Sequence, residues 1–124
     1  MPRYRHALPQ LAGQPLLTDG GIETVLIFQE GIDLPYFASF PVLESETGRA
    51  LLTRYLDRHL DVANRHGVGM MLEAATWRAN PDWVARVTGS PDATAGINRA
   101  AIDFLAAYRE KQSHENTLPI EIPR

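Results

Sequence analysis

The sequence predicts an α/β fold, with parallel strands joined by crossover helices, and three observations predict it. Two short apolar runs, at residues 16–18 and 68–72, lack the polar alternation of a half-exposed strand. A long amphipathic stretch separates them. Each run ends in an acid, Asp19 or Glu73, followed by loop-like sequence instead of a tight hairpin turn. Strand, helix, strand in that order implies parallel neighbours with a right-handed connection.

Taken in order, residues 1–15 carry three prolines and no periodicity, so they read as an irregular lead-in to a single partial domain over residues 16–124. Leu16, Leu17 and Thr18, bounded by Pro15 and Gly20, fit a buried strand. Residues 28–41, FQEGIDLPYFASFP, read as an ordered loop, because Phe28, Tyr36, Phe37 and Phe40 are costly to leave in water. Ser45 is then a helix N-cap, Glu46 sits in the first turn and Gly67 lies just past the end. Leu52, Tyr55, Leu56, Leu60 and Ala63 make its apolar stripe, with charges largely on the other side. Asn80-Pro81-Asp82 and Ser90-Pro91-Asp92 each place a capping residue before proline and an acid after it, which is how helices start. The second of these helices spaces Ile97, Ala101, Phe104, Leu105 and Tyr108 on one face. Residues 118–122 read as a third strand.

Composition removes several function classes. A net charge of -3 with a single lysine among scattered arginines does not suit nucleic acid, whose phosphates demand clustered cations. No apolar run approaches the roughly 18 residues of a membrane span. The first fifteen residues lack the apolar core of a signal peptide, so the chain reads as soluble and cytoplasmic. With no cysteine there is no disulfide, cysteine nucleophile or thiolate metal site from this chain. His59 and His66 stand seven apart, without the i, i+4 spacing of a helical metal pair, and His6 and His114 fall in apparent loops.

In α/β proteins ligands gather at the carboxyl ends of parallel strands. Asp19 and Glu73 are therefore expected on one face. Gly20 and Gly21 either let the backbone approach a ligand or simply permit positive φ. Asp19 also reads as a loop cap, Glu73 as a buried polar anchor, Glu23 as a cap or ion-pair partner, and Trp77 and Trp83 as packing residues.

Together, LLTDGGIETVLI, EGIDLP and MLEAATWRAN resemble the N-terminal part of the homocysteine S-methyltransferase family. The likeness runs from about Leu16 to Tyr108. It implies the N-terminal portion of a (β/α)8 TIM-type barrel, a fold that needs roughly 250 residues when complete. It further implies an enzyme of methionine biosynthesis that methylates the thiolate of homocysteine or a related thiol. By position, Asp19 and Gly20 match the motif bordering the substrate's amino-acid group, and Thr76 matches a threonine after the second strand. Glu73 and the Ala-Ala-Thr wording depart from the commoner threonine-rich version. The family's zinc is held by three cysteine thiolates on later strands, so zinc is expected in the full-length member with ligands absent here. The implied partners are a small thiol and a methyl donor, with no nucleic acid and no membrane. The isolated chain is expected to be inactive, and to self-associate or pair with a C-terminal barrel portion. The alternative is a truncated, non-catalytic α/β module or remnant with a binding or assembly role.

Overall fold

Leu16–Thr18 forms strand β1 and Gly69–Met71 forms strand β2 in the computed structural model, which describes residues 4–113 and 120–121. The two run parallel, with Leu16 opposite Gly69 and Thr18 opposite Met71. Strand β3, Ile120–Glu121, adds to the far side of β2, also parallel, giving the order β1-β2-β3. Of the strand expected over residues 118–122, residues 118, 119 and 122 lie outside the described residues, as does His114.

Helix α1 (Ile22–Thr24) begins straight after the two glycines and continues as a wider π-type turn over Val25–Gln29. Ile22 and Leu26, four apart, are its buried residues. Helix α2 (Glu46–Arg65) crosses from β1 towards β2. Ser45 caps it, accepting from the Gly48 N–H at 2.9 Å. Its buried face is Gly48, Leu52, Tyr55, Leu56, Leu60 and Ala63, and Gly67 leaves the helix at a φ of +65° that suits glycine. Helix α3 (Pro81–Thr88) is capped by the Asn80 side chain and stopped by Gly89 in the left-handed region. Ser90 caps the short turn at Pro91–Ala93 that leads into helix α4 (Thr94–Ser113).

Most of the apolar interior belongs to helices. Leu26, Leu52, Leu56, Leu60 and Leu105 share one core with Met70 of the central strand and Leu72 just beyond it, and Val42, Tyr55 and Tyr108 belong to that core as well. A second, smaller core joins Ala38 and Phe40 to Val84 of α3. The loop of residues 28–41 is thus half right as an expectation. Phe40 is buried, but Phe28 is 74% exposed and Phe37 54%, with Tyr36 half out as well.

The expected N-terminal portion of a TIM-type barrel is overturned. Helix dominates the described chain, and the parallel strands are only three, three and two residues long. The physical cause is visible at the strand ends. Pro15 and the Asp19-Gly20-Gly21 break confine the first run, while Gly67 and Glu73 confine the second. Strands of about five or six residues are the norm, and barrel strands must also be long enough to tilt and stack interior layers. These runs are too short for that, and the helices take over the burial.

No helix among the described residues is long and apolar enough to cross a membrane.

Candidate ligand-binding site

Because β1 and β2 run parallel, their carboxyl ends open on the same side of the sheet. Asp19 follows β1 directly, and Glu73 stands two residues beyond β2. Between them lies a cleft of about 300 Å³ lined by Asp19, Gly20, Ile22, Glu23, Glu73, Ala74, Thr76 and Trp77. Of the residues singled out from sequence, Asp19, Gly20, Glu73 and Thr76 meet here. Gly21 does not line the cleft; it is the N-cap position of α1, with φ of −86°. Neither Gly20 nor Gly21 has positive φ, so conformational freedom in the left-handed region does not explain the pair. A Cβ on Gly20 would meet nothing within 4 Å, whereas one on Gly21 would press on Thr24 Oγ1 at 3.2 Å. Gly20 therefore leaves open space beside Asp19, and Gly21 relieves crowding at the helix start.

Three carboxylates share the cleft. Asp19 is partly buried and accepts a hydrogen bond at Oδ2 from the Tyr55 phenol at 2.9 Å; its Oδ1 is buried with no partner. Burial pushes the Asp19 pKa above the ordinary aspartate value. The Tyr55 hydrogen bond and the His59 charge pull the other way without cancelling that rise. Glu73 is likewise raised, first by desolvation and then by the like charges of Asp19 and Glu23. Tyr55 is pushed up by its own burial and by its bond to the Asp19 carboxylate, so it stays a donor at any physiological pH.

The opposite rim is built by two loops braced together. Ser39, fully buried, donates its N–H to the Trp77 carbonyl at 3.4 Å and accepts from the Trp77 N–H at Oγ, 3.1 Å away. Tyr36, Phe37 and Arg78 flank this brace with φ of 55°, 60° and 63°, unusual for residues with side chains. The brace holds Trp77 at the cleft with 59% of its surface exposed, which corrects its reading as a packing residue. Trp83 lies between rings and cations, with the Tyr36 ring centroid 5.6 Å away, the Arg78 guanidinium 4.0 Å above its ring centroid and that of Arg86 4.8 Å away. The Thr76 hydroxyl turns back towards the Ala74 carbonyl, 3.4 Å off.

Sequence reasoning missed Tyr55. It stood only as one member of an apolar stripe, and nothing in helical spacing says that its phenol reaches Asp19, 36 residues earlier. Ile22 and Ala74 were also missed, since small apolar lining residues carry no chemical signature. Comparison with protein-family models, curated proteins and solved structures finds no match.

A partly desolvated cleft lined by three carboxylates suits an organic cation. Among the described residues no three His, Cys, Asp or Glu side chains are grouped to hold a metal.

Proposed function

We propose that the cleft binds the amino-acid end of homocysteine or a related small thiol, as the substrate-binding part of a thiol methyltransferase. The observation that carries the reading is the Asp19 carboxylate, with one oxygen held by Tyr55, the other unpaired, and Glu23 and Glu73 beside it. An ammonium group is the natural complement, because it brings several donors and a charge to an environment that has acceptors to spare. The sequence likeness of LLTDGGIETVLI and MLEAATWRAN supports the choice of a thiol amino acid among ammonium ligands.

In this reading the chain's own residues bind and orient. Asp19 takes the ammonium, Glu23 and Glu73 add negative potential, Gly20 leaves room, and Trp77 covers the ligand's carbon chain. Ionisation of the thiol is assigned to groups outside these residues, since none of them is a suitable metal donor set or base for sulfur. A second reading, binding without turnover, is favoured by the absence of any cysteine in the chain.

Calorimetric titration with homocysteine, with methyl transfer assayed in parallel, tests both. Binding should be measurable for the native chain and weakened by about ten- to a hundredfold in Asp19→Asn, the size of a lost charge-assisted hydrogen bond. Equal affinity in the two proteins removes the assignment. Binding with no transfer favours the second reading.

A further inference from the structure

We propose that Tyr55 is the positioning residue of this cleft: by donating to Oδ2 of Asp19 it fixes the carboxylate and reserves Oδ1 for the ligand's ammonium group. The inference rests on the reading of the cleft as an ammonium site. A free aspartate rotates broadly about its terminal torsion, so two equivalent oxygens would compete for the ligand. The phenol removes that freedom.

The geometry of Tyr55 supports such a role. Tyr55 is only 3% exposed on the buried face of α2, so the phenol is delivered from a rigid element instead of a loop. The His59 ring lies against it, 4.5 Å between centroids, and His59 Nδ1 is 2.8 Å from the Tyr55 carbonyl oxygen. A carbonyl only accepts, so Nδ1 carries the proton, and the imidazole is pinned as a brace one turn further along the helix. The cost of holding an ionised carboxylate in a desolvated place is partly offset by the bond from Tyr55. Without it, the carboxylate would both swing and protonate more readily.

The groups facing Asp19 set the expected pH response. Tyr55 and His59 approach from α2, Glu23 from α1 and Glu73 from the loop after β2. Tyr55 and His59 favour the ionised form, and Glu23 and Glu73 oppose it. Loss of the phenol leaves the opposing groups in place, so the Asp19 midpoint moves up and ammonium binding is lost at a higher pH as the solution is acidified.

The test pairs Tyr55→Phe, which keeps the buried ring, with a chain in which the tyrosines are replaced by fluorotyrosine, a stronger donor of the same shape. Two readouts are needed: the homocysteine Kd as a function of pH, and the Asp19 carboxyl midpoint by carbon NMR without ligand. Tyr55→Phe should weaken binding by about tenfold near neutrality and raise the Asp19 midpoint. Fluorotyrosine should lower that midpoint, and it supplies the answer if the phenylalanine variant does not fold. A Kd within twofold of the native value and an unmoved midpoint, while Asp19→Asn still weakens binding as expected, overturns the role of Tyr55 and leaves the ammonium site standing. No homocysteine binding by the native chain overturns both.

Discussion

Asp19 is held partly buried just past the end of β1, bonded to the phenol of the buried Tyr55, and this has consequences for stability as well as binding. Its folded pKa lies above its unfolded value, so the folded state binds the proton more tightly. The stability from that preference is complete below the ordinary aspartate range and is lost as pH rises through the raised folded value. Glu73 follows the same sign. Asp19→Asn, which keeps an acceptor for Tyr55 and removes the desolvated charge, should therefore match or exceed the native Tm near neutral pH while losing homocysteine. Thermal unfolding at neutral and mildly acidic pH checks this, and a Tm well below native at neutral pH would show that the charge itself stabilises the fold. Gly20→Ala separates room from charge. With nothing within 4 Å of its new methyl, stability should hold or rise by up to about 1 kcal/mol, and ligand affinity should fall as the cleft narrows. Asp19 and Glu73 were legible in sequence because an acid at the end of an apolar run is conspicuous; Gly20 stood out beside Asp19, and Thr76 only through the family resemblance. Trp77 and Tyr55 were not, since an aromatic side chain has the same signature whether it packs, lines a cleft or reaches a carboxylate.

Among the elements, α2 determines where the site sits, because it positions Tyr55 and joins the two strands. Its start depends on two residues with opposite reasons for being there. Ser45 satisfies the Gly48 N–H, and Gly48 itself lies so close to the preceding turn that a Cβ would overlap the Val42 carbonyl oxygen. Alanine normally stabilises a helix interior over glycine by roughly 0.5–1 kcal/mol. At this position the sign should reverse, with Gly48→Ala costing about 1–3 kcal/mol from overpacking against backbone that cannot rotate away. Urea unfolding measures it, and a stabilised variant would contradict the contact. The helices α2 and α3 were legible because Ser45 and Asn80 announce their starts and cap them, while Ser90 caps the short turn that leads into α4. The helical segment after Gly21 was not, because eight residues of mostly apolar sequence fit strand and helix equally well. Only packing of Ile22 and Leu26 against the core decides between them.

At the scale of the whole molecule, the order of strand and helix was readable, but the size of the sheet was not. Three apolar residues before a break look the same whether they belong to a long-stranded barrel or to a small sheet in a helical body. The result is a minor parallel sheet with β1 along one edge, and with Leu8, Leu11 and Phe28 exposed nearby in sequence. Unpaired strand edges and exposed apolar side chains favour association. We expect the chain to self-associate, with a sedimentation-derived mass that rises with concentration above 13.8 kDa; a constant monomer mass would contradict this. The central claim, that the cleft between the strand ends recognises an ammonium group, is tested most directly by comparing homocysteine with the same thiol acid lacking its amino group. Calorimetry on the native chain should show the amine-free compound binding at least about a hundredfold more weakly, the loss of a charge-assisted contact in a partly desolvated site. Equal binding of the two compounds would contradict the account.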